Sequence, residues 1–311
     1  MPDKLVSICI PAYENLNLLK RTLDAIVVQN YSAIEVIISD DSAGEDIKNA
    51  LPEYTGKLQV KYFKNTPALG TPANWNYALD KAAGDLVMLV HHDDWFNEKE
   101  TILKYVSAFN QFPDADFIFS RINIFDAKDR KTIAFHKKIL NDLVAHPEGL
   151  LLGNVVGPPS NVMIRRTVAA RYLETLIWLV DVEYYIRLIN SGYKYFFIDE
   201  RLVLTGVHDQ QVTAYVQQNK TIILKEHLLM AGKLGSTMFA DWRIYDLYWR
   251  LLRNHEIRSL TQLESIGIEI ETIPSSLIQM LNFQKQIPVS ILKNRVLSKA
   301  LMFLSLKSKK N

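Results

Sequence analysis

The sequence predicts an α/β protein with a largely parallel sheet, followed by a helical C-terminal region. Three observations predict it. Short apolar runs alternate with stretches of helical spacing through the first half of the chain, the pattern of strands joined by helical crossovers. Three of those runs end in polar or acidic residues, namely Tyr13 and Glu14, Asp40 and Asp41, and Asp93 and Asp94. In open sheets of this class ligands lie at the carboxyl ends of the strands, so these residues are expected to face one crevice. Beyond residue 212 the pattern is helical, with breaks near Gly267 and Pro274.

In order, LVSICIPAY (5–13) reads as the first strand, and Leu19, Leu23, Ile26 and Val27 then recur at helical spacing. IEVIISDDS (34–42) is the second strand, followed by a short helical stretch after Gly44, and KLQVKYF (57–63) is the third. A helix is expected over Asn74 to Ala83, stopped by Gly84, before the buried strand LVMLV (86–90). EKETILKYVSAFNQF (98–112) reads as a helix with Glu98 and Glu100 in its first turn, where the helix dipole favours acids. DFIFSRINIFD (116–126) reads as a further strand. From residue 127 a basic, polar loop leads to VAHPEG (144–149). The segment GNVVGPPSNVMIRR, the helix-like VDVEYYIRLINSG and the strands KYFFID and RLVLTGVH follow.

The totals narrow the function. The 311 residues are 48% hydrophobic and 23% charged, enough for a sizeable core and unlike a disordered chain. A net charge of +2 does not point to nucleic acid. The single cysteine, Cys9, precludes an internal disulfide and a cysteine-based zinc cage, and its apolar surroundings predict a buried thiol. No signal peptide is evident, and no apolar run approaches the roughly 20 residues that cross a bilayer, so a cytosolic location is expected. Neither GxGxxG after the first strand nor GxxxxGK[ST] anywhere is present, which disfavours a dinucleotide oxidoreductase and a P-loop kinase.

The chemistry concentrates in HHDDW (91–95). Asp93 and Asp94 are hard oxygen ligands suited to Mg2+ or Mn2+, and a cation held by few carboxylates keeps positions for phosphate oxygens. The plainer reading is a pair of aspartates capping the helix that begins near Asn97, with His91 and His92 hydrogen-bonded at a strand end. Tyr13, just after Pro11, which is expected to end the first strand, could stack on a base while Asp41 accepts an N–H from its edge, or the region could be an ordinary strand-end turn. Asp181, on a helical face with Tyr184, Tyr185 and Leu188 and close to Trp178, is placed to serve as a base with a raised pKa, or simply to cap its helix.

Taken together these segments resemble glycosyltransferase family 2, the inverting enzymes of the GT-A fold. VSICIPAYEN is similar to the family's first strand and nucleotide-contacting turn, with Pro11, Tyr13 and Glu14. IEVIISDDSAGED is similar to the second strand, whose second aspartate, here Asp41, contacts the base. NWNYALDKAAGDLVMLVHHDDW, which includes Asn76, resembles the segment leading to the DXD metal motif. GPPSNVMIRR resembles the acceptor-side strand, VDVEYYIRL the segment carrying the catalytic base, and RLVLTGVHDQQVT the loop whose histidine, here His208, meets the diphosphate or metal. The resemblance spans roughly residues 4 to 215.

It implies a GT-A domain with a mixed, mostly parallel sheet. Residues 1–126 would form the nucleotide-sugar half, 127–215 the acceptor half and 216–311 the helical C-terminal region. It further implies metal-dependent, inverting transfer of one sugar from a nucleotide-sugar donor, most simply a UDP-sugar, to a hydroxyl of a glycan or lipid-linked glycan. Asp94 and Asp93 would hold Mn2+ or Mg2+. Pro11, Tyr13, Glu14, Asp41, Asn76, Asp93 and His208 would surround the nucleotide, and Asp181 would be the catalytic base. The QxxRW motif and transmembrane helices of processive synthases are not visible in the sequence. A nucleotidyltransferase would want a glycine-rich, basic loop where PAYENLN stands, and a non-catalytic sugar-nucleotide-binding protein need not keep Asp41, Asp94 and Asp181 together.

Three departures stand out: His91 where the metal motif usually begins with Asp, Val180 where an acid often precedes the base, and Gly206 where an Arg often precedes the histidine. Past Glu271 the chain has no acidic residue, whereas Lys293, Arg295, Lys299, Lys307, Lys309 and Lys310 are interleaved with Leu297, Leu301, Phe303, Leu304 and Leu306. Such a tail suits peripheral contact with an anionic leaflet at the inner face of the cytoplasmic membrane, or packing on the catalytic domain or on a second copy of the chain.

Overall fold

The computed structural model describes residues 4–125, 137–206, 215–216 and 218–308. β1 (Val6–Ala12) is buried along its whole length, as its continuous apolar run requires for a central parallel strand. α1 (Leu16–Val27) starts where the Asn15 side chain accepts a hydrogen bond from the Leu18 amide, and it buries Leu19, Thr22, Leu23 and Ile26 against the sheet. β2 (Ile34–Asp40), α2 (Asp46–Ala50), β3 (Gln59–Lys64), α3 (Ala73–Asp80) and β4 (Leu86–Leu89) follow. Then come β5 (Asp94–Phe96), α4 (Thr101–Gln111), β6 (Phe117–Ser120), β7 (Ile124–Phe125) and α5 (Lys137–Asp142). β8 (Val162–Arg165), α6 (Val180–Asn190), β9 (Tyr195–Ile198) and β10 (Val203–Gly206) complete the sheet region.

The main sheet has seven strands in the order β3-β2-β1-β4-β8-β6-β9, and a small second sheet has the order β5-β10-β7. In the main sheet β8 alone runs antiparallel to its neighbours, β4 and β6, while the other pairs are parallel. The sheet is therefore mixed and mostly parallel, as expected. Its core is formed by Ile8, Ile10, Val36, Ile38, Met88 and Val90 with Leu19, Leu23, Tyr105 and Phe109 from the helices. Each such side chain contributes roughly 1.5–3 kcal/mol by leaving water.

Local expectations needed correction in four places. The 116–126 run is not one strand: β6 pairs with β9 and β8 in the main sheet, whereas β7 pairs with β10 in the small one. The chain changes sheets at residues 121–123, where the Arg121 side chain is paired with Asp199 and its amide donates to the Glu200 carbonyl at 2.8 Å. α4 begins at Thr101, after Glu98 and Glu100, because Glu98 holds Lys104 and Glu100 accepts from Asn30. Gly84 does not stop a helix, since α3 ends at Asp80. It allows close approach instead, for a Cβ there would lie 2.6 Å from the Leu5 carbonyl oxygen. Pro11 does not end β1, which continues to Ala12 with Pro11 opposite Ser39.

The chain divides into two compact units, residues 1–144 with 154–211, and residues 145–153 with 212–311. The second unit is helical: α7 (Lys220–Leu234), α8 (Trp242–Asn254), α9 (Leu260–Ser265), α10 (Ser275–Lys285), α11 (Val289–Lys293) and α12 (Arg295–Ser308). Its core is aromatic, with Phe239, Tyr245, Tyr248 and Trp249 all buried. Among the described residues no helix is long and apolar enough to cross a membrane.

Candidate active site

β2, β1 and β4 are adjacent and parallel, so their carboxyl ends share one edge of the sheet. The chain leaves β1 toward β2 and β3 and returns to β4 on the other side. A crevice opens at such a switch point.

The turn from β4 to β5 carries His91, His92, Asp93 and Asp94, closed by the Asp94 amide donating to the His91 carbonyl at 3.0 Å. α1 grips it from one side. The Thr22 hydroxyl lies 2.7 Å from the Asp94 carbonyl oxygen and 2.9 Å from that of His92. Arg21 donates to the Asp93 carbonyl at 2.8 Å, and its guanidinium sits 3.5 Å from the centroid of the Trp95 ring. Gly206 closes the other side, its amide 3.1 Å from Asp94 Oδ1. A Cβ at Gly206 would lie 2.5 Å from the Asp93 carbonyl oxygen, so the backbone can approach only as glycine. The Ser160 hydroxyl accepts the His91 amide at 2.9 Å.

Within this well-anchored turn two polar atoms are buried with no hydrogen-bond partner among the described residues: Asp94 Oδ2 and His91 Nε2. Asp94 is 1% exposed. Burial pushes its carboxyl well above the usual range, and the neighbouring Asp93 adds to the rise. Burial also pulls His91 down to about 4, leaving a neutral imidazole. His91 Nδ1 is 3.8 Å from Asp94 Oδ2, and one donor atom from each of His91, Asp93 and Asp94 lies within 4.8 Å of the others. Two carboxylates and a neutral imidazole form a donor set that suits Mn2+ or Mg2+. A buried carboxylate oxygen with nothing to accept is costly unless a cation serves it.

The acids after β1 and β2 are engaged differently. Glu14 adopts a left-handed backbone at φ 57°. Its amide donates to Ser42 Oγ at 2.7 Å and its carboxylate accepts the Ala43 amide at 2.8 Å, joining the two turns. Asp40 accepts from the Ser42 amide, the Tyr62 hydroxyl and Lys64. Burial alone would raise its carboxyl, but those hydrogen bonds outweigh burial and hold it below the usual range. Asp41 accepts from Asn65 at 2.8 Å, the Leu69 amide at 3.0 Å and the Gly70 amide at 2.8 Å. Tyr13 stands out at 60% exposure. Asn76 is buried on α3, its amide bonded both ways to the Tyr172 backbone and also to Glu174. His208 lies outside the described residues.

An aromatic path leads from the β4 turn toward α6. The Trp75 ring is 4.7 Å from His91 and 5.3 Å from Tyr172, and Tyr172 stacks on Tyr184 at 4.3 Å. Asp181 does not cap α6; it lies in the first turn, after Leu179, with Oδ1 accepting the Val182 amide at 2.7 Å. Its Oδ2 accepts from Asn154 at 2.8 Å. Asn154 is itself fixed by the Val156 and Gly157 amides and the Gly157 carbonyl.

Comparison with known proteins agrees with this geometry. Residues 7–173, more than half of the chain, match the model of glycosyl transferase family 2. The chain belongs to that family. It is 27% identical over 235 residues to the amylovoran biosynthesis glycosyltransferase AmsB of Erwinia amylovora, covering 71% of this chain and 74% of AmsB. Among solved structures, residues 1–349 of TarS from S. aureus, in complex with UDP-GlcNAc, superpose with a TM-score of 0.60 at 17% identity, covering 98% of this chain and 91% of that one. The mannosyltransferase PcManGT from Pyrobaculum calidifontis, with GDP-Man and Mn2+, gives a TM-score of 0.60 at 14% identity, covering 98% and 86%.

The fold of this family 2 glycosyltransferase is accordingly GT-A-like, and its reaction is sugar transfer from a nucleotide-sugar donor. Several residues of its crevice were not legible in the sequence. Arg21 and Thr22 sit mid-helix with no motif around them. Ser160 and Asn154 lie in a Pro/Gly-rich segment whose only signal is its family resemblance. The one available signal was Thr22 itself, a polar residue one position from the apolar spacing of Leu19, Leu23 and Ile26.

Proposed function

We propose that this chain is an inverting, metal-dependent glycosyltransferase that moves one sugar from a UDP-sugar to a hydroxyl of a glycan or lipid-linked glycan. The unpartnered, buried Asp94 Oδ2 beside His91 and Asp93 carries this reading. Asp94 and Asp93 would hold Mn2+ or Mg2+ there, the ion's chemistry being Lewis-acid stabilisation of charge on the departing diphosphate. PcManGT, of similar fold, was solved with Mn2+.

The chain's own residues do the rest. Tyr13 offers an exposed ring for a base to stack on. Glu14 and Asp41 shape the wall beside it, Asp41 by ordering the Leu69 and Gly70 amides. Pro11 and Asn76 set the strand and helix behind that wall, and the family resemblance assigns His208, outside the described residues, to the diphosphate. Asp181 takes the proton of the acceptor hydroxyl as it attacks the anomeric carbon from the face opposite the nucleotide. Asn154, bonded to Asp181 Oδ2, keeps the carboxylate aimed. The transition state has oxocarbenium character, as in glycoside hydrolysis.

The test is a panel of UDP-, GDP- and dTDP-sugars offered with Mn2+ and a polyprenyl-linked glycan acceptor. Nucleotide release and product anomer are read by NMR. One donor should turn over with inversion, and Asp181→Asn should lower the rate by about 10²–10⁴ while donor binding persists. Absence of turnover with every donor, or retention at the anomeric carbon, would refute the proposal.

A further inference from the structure

α12 has its faces reversed. The side packed on α8 is small and partly polar: Ser298, Met302 and Ser305 are buried. Ser298 Oγ accepts from the Trp249 indole at 2.9 Å and from Arg253 at 3.1 Å, and Ser305 is hydrogen-bonded to the Tyr245 hydroxyl at 2.7 Å. The opposite side carries Val296 (79% exposed), Leu297 (48%), Phe303 (40%) and Leu304 (56%). At 100° per residue Val296, Leu297, Ala300, Phe303, Leu304 and Lys307 fall within an arc of about 120°. Trp242, exposed at the start of α8, extends the apolar strip, its ring 5.8 Å from that of Phe303. A helix normally turns such a face inward, so a contiguous exposed strip marks a contact surface.

Charge selects the occupant. Arg295 stands exposed at one end of the strip, next to a Lys293 that is paired with Glu256 at 2.9 Å, and Lys307 stands exposed at the other. Past Glu271 the sequence contains no acid, and Lys309 and Lys310 follow Lys307. Lys299 is paired with Asp246 at 2.9 Å and lies 4.7 Å from the Trp242 ring centroid, so its ammonium is held beside the strip. A second copy laid on this face would set Arg295 and Lys307 against their own kind. An anionic lipid surface presents the opposite charge, takes apolar side chains below its headgroups and accommodates an interfacial tryptophan.

We infer that α12, with Trp242, is a peripheral membrane contact that lies on an anionic lipid surface. The contact goes beyond the transfer reaction. Vesicle binding is read without donor or acceptor, so its failure would leave the transfer reading standing.

The experiment is flotation of the full chain with vesicles of phosphatidylcholine alone and of phosphatidylcholine with phosphatidylglycerol. Binding is expected only to the anionic vesicles and should weaken as salt is raised. Leu297→Ser with Leu304→Ser should weaken it at least about tenfold. Arg295→Gln and Lys307→Gln should each weaken it about fivefold. All four positions are exposed, and unchanged circular dichroism and Tm would show that the variants fold. Failure to float with anionic vesicles, or equal flotation of the double-serine variant, would overturn the inference. So would a dimer seen by light scattering and lost in that variant, which would make a second copy the occupant.

Discussion

The two aspartate doublets of this sheet, Asp40–Asp41 after β2 and Asp93–Asp94 after β4, look alike as sequence and differ as chemistry. At the first, side-chain and backbone donors from distant parts of the chain converge on both carboxylates, and the Asp40 carboxyl is held below its usual range. At the second, Asp94 keeps one buried oxygen without a donor among the described residues, and burial raises its carboxyl. An acidic strand end whose donors the protein supplies is held as part of the fold, and one left with an unserved buried oxygen is the place proposed for a cation. The teaching is that satisfaction of hydrogen bonds separates the two, whereas charge and position do not.

Substitutions at the two doublets should have opposite effects. The largest effect on folding is expected from Asp41→Ala, which strips the acceptor from the Leu69 and Gly70 amides and from Asn65; urea unfolding should show a loss of about 3 kcal/mol. Asp94→Asn should act the other way. Affinity for a nucleoside diphosphate in Mn2+ should fall about a hundredfold by calorimetry. The metal-free protein should become more stable by about 1 kcal/mol, because the substitution removes a buried like charge beside Asp93. If Asp94→Asn instead destabilises the metal-free protein, the contrast fails.

Acid titration of stability separates the doublets by sign. Asp40, with its carboxyl depressed in the fold, contributes stability that is present above the unfolded value of about 3.9 and is lost as pH falls through its folded value. Asp40→Asn should therefore flatten the acid limb of Tm against pH. Asp94, raised in the fold, contributes stability below about 3.9 that is lost as pH climbs through its folded value, so Asp94→Asn should flatten the opposite limb in chelator. The smallest effect is expected at Thr22. Thr22→Val keeps the shape but removes the hydroxyl beside the His92 and Asp94 carbonyls, costing about 1 kcal/mol of stability and loosening Mn2+-dependent binding severalfold.

Much of this was legible in the sequence because strands here are uninterrupted apolar runs that end in polar residues. The succession of strands and helices along the chain, the mixed sheet with its helical sequel, and the gathering of three strand ends followed from alternation and from the family resemblance. What could not be read depends on partners far along the chain. Nothing local to Asp41 announces the amides of Leu69 and Gly70, and nothing around Arg21 announces the carbonyl of Asp93. Gly206 reads as the loss of an arginine, yet folded it is the close approach that delivers an amide to Asp94 Oδ1. The 116–126 run reads as one strand because its apolar pattern continues across a change of sheet. α12 reads as apolar nearly all round, and only packing against Tyr245 and Trp249 distinguishes its buried side from its exposed one.

Asp94 and its neighbours are proposed to hold a divalent cation against a diphosphate. Isothermal titration of UDP into the protein with Mn2+, then with chelator, then into Asp94→Asn with Mn2+, tests it most directly, with GDP and dTDP titrated alongside. Binding of one nucleotide is expected, requiring Mn2+ and lost in the variant. Equal binding in chelator, or full binding by Asp94→Asn, would contradict the proposal.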